Sequence, residues 1–222
     1  MKKWLYYTVA ALIAFSSSSS YALTISSTFD TNDEGWIGIP GEGSASYSAT
    51  GGNPGGHISV TDIGSGGLLG SGAVAPGKFL GDLSAFDGGT LSVDLASIAG
   101  AGGPTWSVFG LVWIQGGGTE AFHDLIVNAP PIGGSWVSLS TTLDAASWGV
   151  SDAVWASILA NVTEIQLGTD AFNGADTIGV DNFSIATAAA GGTGPSVPEP
   201  PTIGMLSLGL VGLAFVRRKR VN

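Results

Sequence analysis

The stretch Leu91-Ser92-Val93-Asp94-Leu95 decides the fold class of this chain. Apolar and polar side chains alternate with period two, which puts every second residue on the same face of a strand. One face of that strand is therefore buried and the other is not. Working outward, comparable short runs lie at 23–29, 57–62, 68–75, 90–96, 105–115, 122–127, 136–141, 163–168 and 178–185, separated by Gly, Pro, Asn and Asp. Turn residues at such intervals are the punctuation of an all-β chain. Segment 106–114 is apolar on both faces and is expected in the middle of a sheet. One helix is predicted after Ser151, a capping residue, because Val154, Trp155, Ile158, Leu159 and Val162 recur at i, i+3/i+4 spacing. About nine strands and one short helix around one core predict an antiparallel β-sandwich.

Composition supports that class. Glycine is abundant, with 36 residues of 222, and charged residues make up only 11%. There is no cysteine. That excludes thiol catalysis, cysteine-based zinc sites and iron–sulfur clusters, and a core of this size does not need disulfides. Of the seven bases, only Lys78 lies in 23–197, against 16 acids, a formal charge of −15 for that stretch. Phosphate backbones are bound through Lys and Arg, so nucleic acid and anionic lipid surfaces are excluded as partners. A multivalent cation such as calcium is the partner this charge tolerates best.

The remaining bases sit at the two ends. Lys2 and Lys3 precede an apolar run from Trp4 to Phe15, then a Ser tract and Ser20-Tyr21-Ala22. This is the order of a secretory signal peptide, 1–22, with cleavage expected after Ala22. At the other end a small-residue linker, 188–197, leads to Pro198-Glu199-Pro200, then to the apolar segment 202–216 and Arg217-Arg218-Lys219-Arg220. Fifteen residues make a helix of about 22 Å at about 1.5 Å per residue, short for a hydrocarbon core of about 30 Å. The four bases are expected to stay on the cytoplasmic side, leaving 23–197 exported.

Pro198, Glu199 and Pro200, followed by a short apolar span and the basic cluster Arg217, Arg218, Lys219 and Arg220, resemble the PEP-CTERM sorting signal of Gram-negative bacteria. The resemblance, over residues 198–222, implies processing by an exosortase, a membrane-embedded cysteine protease. It further implies transient insertion in the inner membrane and delivery to the cell surface, outer membrane or exopolysaccharide matrix. In the middle, 23–187, Phe29-Asp30, Gly35-Trp36, Gly51-Gly52-Asn53-Pro54-Gly55-Gly56-His57-Ile58, Ala75-Pro76, Lys78-Phe79-Leu80-Gly81-Asp82 and Val180-Asp181-Asn182-Phe183 occur in the order found in laminin B-type domains. Those domains resemble carbohydrate-binding modules with a galactose-binding-like jelly roll. The resemblance implies a non-catalytic extracellular module.

It also implies where a structural calcium would sit, between Asp30 after the first strand and Asp181 in the last, with Asp33 or Asn182 assisting. The plainer reading of these residues is an Asx turn at Asp30 and an edge carboxylate at Asp181. Trp36 and Trp136 lie beside loops and are the candidates for stacking on a sugar, whereas Trp106, Trp113 and Trp155 sit in apolar patterns that read as core. His57 and His123 are the only histidines. His123 lies near Glu120 and Asp124, yet no nucleophile elbow or HExxH helix accompanies it, so no catalytic residue is assigned. Three functions follow, from different classes. The first is a non-catalytic matrix protein binding exopolysaccharide. The second is a purely structural or adhesion protein of the biofilm matrix. The third is a polysaccharide hydrolase built on a carboxylate pair.

Overall fold

The structure, a computed structural model, describes residues 22–62, 69–100, 108–126 and 128–188. Eleven strands, one α-helix and two short 3-10 turns, Gly77–Phe79 and Ser84–Phe86, are present among them. The first sheet runs β3 (Gly43–Gly52), β4 (Gly55–Asp62), β11 (Asp176–Ala186), β6 (Thr90–Gly100), β9 (Val137–Thr142), with β1 (Thr24–Ser27) paired to the far end of β11. The second runs β2 (Ile37–Gly38), β5 (Gly72–Val74), β10 (Val162–Gly168), β7 (Leu111–Gly116), β8 (Thr119–Asp124). Every pairing is antiparallel. The predicted all-β antiparallel class with one helix is what the chain adopts.

The apolar residues of the deciding stretch point inward as alternation requires, while Asp94 on the opposite face is also covered, at 8% exposed. Leu91, Val93 and Leu95 of β6 point into one core with Ile58 and Val60 of β4, Val112 and Ile114 of β7, and Ile165 and Leu167 of β10. The two sheets thus share their inner faces, and their outer faces point in opposite directions. In β11 the inward residues are Ile178 and Val180, then Phe183 and Ile185. The phase slips by one residue because the pairing with β6 shifts between Asp181 and Ser184, where Asn182 adopts φ +49°. A bulge of this kind keeps apolar residues inside on both sides of it.

Helix α1 (Asp152–Ala160) begins where predicted, with the Ser151 hydroxyl accepting from Val154 N at 3.4 Å. Trp155, Ile158 and Leu159 bury its inner side, and Val162 belongs to the following strand rather than to the helix. Two strands escaped the periodicity reading. β3 has the sequence GSASYSATGG and is an edge strand with no large aliphatic residue, and β2 is two residues long.

Segment 106–114 departs from expectation. Among its described residues strand begins at Leu111, in 111–116, and burial alternates there, so Leu111 and Trp113 lie on the outer face. Residues 106 and 107 lie outside the described residues, as do the signal peptide up to residue 21, most of the linker and the whole sorting tail. Among the described residues no helix is long and apolar enough to cross a membrane.

Candidate binding face on the five-stranded sheet

Register builds this site. Ile37 pairs with Val74, Val74 with Gln166, Gln166 with Trp113, and Trp113 with Phe122. Directly paired residues share a face, so these five side chains form one row across all five strands on the side away from the core. Ile37 is 55% exposed, and Trp113 and Phe122 are partly exposed. The Trp113 and Phe122 rings are stacked, with planes 8° apart and centroids 6.1 Å apart. A second row, two residues along, holds Glu164, Gln115 and Glu120. The rows are tied together: Trp113 Nε1 donates to Glu120 Oε2 at 3.1 Å, and Gln166 Nε2 donates to Glu164 Oε1 at 2.6 Å.

The result is an aromatic pair flanked by the Gln115 carboxamide and two carboxylates, while Gln166, 9% exposed, spends its Nε2 on Glu164. Such a face can take the C–H surface of a ring on Trp113 and offer donors and acceptors to its hydroxyls. Sequence reading missed it by assigning Trp113 to the core. The signal available was the alternation Leu111, Trp113, Gln115 against Val112, Ile114, which the long apolar run obscured.

The residues predicted from sequence are distributed differently. Trp36 is not a ligand residue of a loop: it is 1% exposed, and this corrects the expectation. It sits edge-to-face against Phe29, Phe79 and Phe183 at 6.0, 5.8 and 4.9 Å, and its Nε1 donates to the buried Ser27 hydroxyl at 2.8 Å. The turn before it folds back, with Phe29 and Glu34 both at φ 51°, so the indole fills the core instead of facing water. Trp136 is partly exposed on the outer face of the six-stranded sheet, opposite to Trp113.

Asp30 and Asp181 meet the same hairpin turn between β3 and β4. A Cβ on Gly55 would stand 2.8 Å from Asp30 Oδ1, and one on Gly52 would stand 2.8 Å from Asp181 Oδ2. Asp30 is exposed and accepts from the Thr28 hydroxyl at 2.8 Å. Asp181 is fully buried; its oxygens accept from Asn53 N at 2.6 Å and Asn182 N at 2.7 Å. Burial pushes its carboxyl above the usual range, while those two N–H groups and His57 pull the other way. Asp94, paired opposite, accepts from Asn53 Nδ2 and Asn182 Nδ2 at 3.1 and 2.8 Å.

Near the first strand the cation is Lys78. Its ammonium joins the Ser26 carbonyl and the Glu34 carboxylate and lies 5.2 Å from the centre of the Phe79 ring. Among the described residues no group of three or more His, Asp or Glu is placed to hold a metal ion. His57 is buried against Ser59 and Trp136. His123 makes a 2.8 Å hydrogen bond from Nδ1 to the Ser147 carbonyl, against Trp148.

No curated protein sequence matches the chain. Among solved structures it is similar to the L4b domain of human laminin alpha-2, with 17% identity over 53% of this chain and 70% of that one, TM-score 0.45. It is similar to the CBM22-1 xylan-binding domain of Paenibacillus barcinonensis Xyn10C, with 12% identity over 75% of this chain and 95% of that one, TM-score 0.48. A third is the family 11 carbohydrate-binding module of Clostridium thermocellum, solved with a β-1,3-1,4-mixed-linked tetrasaccharide. There the identity is 15%, the coverage 75% of this chain and 96% of that one, and the TM-score 0.45. The sequence itself is matched at its C-terminal end, where residues 196–220, containing Pro198-Glu199-Pro200 and Arg217-Arg218-Lys219-Arg220, carry a PEP-CTERM protein-sorting motif.

Proposed function

We propose that this is an exported, non-catalytic surface or matrix protein. Its β-sandwich holds a polysaccharide across the outer face of the five-stranded sheet, with exopolysaccharide of the producing bacterium as the natural ligand. The carrying observation is the row Ile37–Val74–Gln166–Trp113–Phe122, which crosses every strand of one sheet and ends in an aromatic pair on β7 and β8, beside a row of two carboxylates and a carboxamide. Glu120 and Glu164 accept bonds from Trp113 and Gln166, which supports a binding role for them. The sorting motif supports the route: exosortase processing after transient insertion of the tail, then release to the surface or matrix. Calcium at the turn between Asp30 and Asp181 belongs to the same reading as an addition. The ion would have to share Asp181 with the N–H groups of Asn53 and Asn182.

Two measurements test the proposal. Mass spectrometry of protein recovered from the cell surface or medium is expected to find a chain that starts near Leu23 and ends before Thr202. Retention of Arg217–Arg220 on that protein would exclude sorting by cleavage. For binding, the 23–188 domain is titrated by calorimetry against xylan, mixed-linkage β-glucan and the producer's own exopolysaccharide. Trp113→Ala is expected to weaken binding about 30-fold, the effect of losing an aromatic anchor of about 2 kcal/mol. Unchanged affinity in that variant would take the site away from this face. No binding to any of the three would leave the structural or adhesion role.

A further inference from the structure

The six-stranded sheet carries an aromatic platform of its own. Ser46 of β3 pairs with Ser59 of β4, Ser59 with Gly179 of β11, and Gly179 with Ala96 of β6. These four small residues form a strip across the outer face. Since Val137 pairs with Leu95 and Ser138 with Asp94, Trp136 arrives at the end of the same strip. Its indole lies over Gly179: a Cβ there would be 2.6 Å from Cη2 and 3.1 Å from Cζ2. A Cβ at this position would meet the ring rather than backbone, so the ring would have to shift. Trp136 Nε1 donates to the Gly51 carbonyl at 3.0 Å, and the His57 ring meets it edge-on at 5.5 Å. Ile98, 40% exposed, reaches the same spot from β6. An aromatic side chain is thus held in a fixed position while remaining partly open to solvent.

The chemistry around it is uncharged. Ser46, Ser59, Thr61, Thr177 and Ser138 supply hydroxyls on this face. The two acids of the face, Asp94 and Asp181, are 8% and 0% exposed and are already bonded to Asn53 and Asn182. In a domain of formal charge −15, an aromatic ring surrounded by hydroxyls and no accessible charge matches a neutral saccharide. A polyanion would find no cation here.

We propose that Trp136 marks a second saccharide platform, and that the domain bridges two neutral polysaccharide chains, one on each outer face of the sandwich. The bridging part rests on the reading of the Trp113 face as a glycan site. A matrix protein with two opposed platforms cross-links polymers, whereas one with a single platform only decorates them.

The test uses the 23–188 domain, which holds every described residue of the core, and the three polysaccharides named above. Calorimetry with oligosaccharides released from whichever polymer binds is expected to give two sites per domain, falling to one in Trp113→Ala and one in Trp136→Ala. Light scattering of the intact polymer is expected to rise with the wild type and stay flat with either variant. Gly179→Ala, which displaces the indole without removing it, is expected to lose the same site as Trp136→Ala. Its melting temperature checks that the sandwich stays folded. One site in the wild type, lost in Trp113→Ala and untouched in Trp136→Ala, overturns the second platform and leaves the first. Binding that vanishes only in Trp136→Ala overturns both the bridging and the Trp113 reading. Self-association of the sugar-free domain, abolished by Trp136→Ala without loss of a sugar site, would make the patch a contact between two copies and overturn the proposal.

Discussion

Trp36→Ala is expected to lower the thermal midpoint of the domain by roughly 6–20 °C. Removing a large aromatic from a packed core costs about 3–5 kcal/mol, and about 1 kcal/mol moves the midpoint of a domain of this size by roughly 2–4 °C. The cost belongs at the upper end of that range, because three aromatic rings lose their shared partner at once. The Ser27 hydroxyl, fully buried, also loses the indole N–H that it accepts from. Calorimetric unfolding of the variant beside the wild type measures the shift. A fall below about 3 °C would mean that the Phe29–Phe79–Phe183 cluster closes without the indole. Saccharide affinity of the folded fraction is expected to be unchanged, which separates this tryptophan from Trp113 and Trp136.

Asp170→Asn is expected to stabilise the domain at pH 7.5 and to do nothing at pH 4. Asp170 sits with Asp62 at the end of β4 and Asp176 at the start of β11, and no base of the domain lies among them, since Lys78 is engaged by Glu34 and Ser26. Burial, with the charges of Asp176 and Asp62 added, raises its carboxyl to about 6. Asp176 is raised for the same first reason, despite accepting from Ala171 N and Phe172 N at 2.9 Å. A raised carboxyl binds its proton more tightly in the folded state than in the unfolded one. The stability this contributes is complete in acid, below the unfolded value of about 4, and is lost as pH rises through about 6. Allowing for solvent screening of a partly exposed group, the loss is about 1–2 kcal/mol, or roughly 2–8 °C. Glu34, Asp82 and Asp144 are lowered by hydrogen bonds and pull stability the other way in acid. The comparison of variant with wild type is therefore the informative one. Melting curves from pH 4 to 8 should converge at the acid end and separate above pH 6. Parallel curves would remove Asp170 from the pH response.

What could be read before the fold was known depended on how local the physics was. Ser151 caps its helix through an atom three residues away, and its donor is visible in sequence. Leu91, Val93 and Leu95 alternate because a strand turns successive side chains to opposite faces. The edge strand β3 was not legible, since an edge exposed to solvent needs no large apolar residue to hold it.

The tryptophans show the limit most clearly. Trp36, Trp113 and Trp136 are the same residue in comparable Gly-rich or apolar surroundings, yet one is buried and two lie on opposite outer faces. Whether an indole is covered is decided by which segments arrive over it: Phe29, Phe79 and Phe183 for Trp36, the Phe122 ring and Glu120 beside Trp113, and Gly179 beneath Trp136. Sequence by itself determined the all-β class, the helix start and the sorting motif, because each rests on contacts within a few residues or on a contiguous signal. Only the tertiary structure decided which side chains line the outer-face row of the five-stranded sheet and the Asp62–Asp170–Asp176 cluster. Each draws on segments tens of residues apart along the chain, Val74, Trp113 and Gln166 in the row and Asp62 and Asp170 in the cluster, brought together by strand register, which no local pattern encodes.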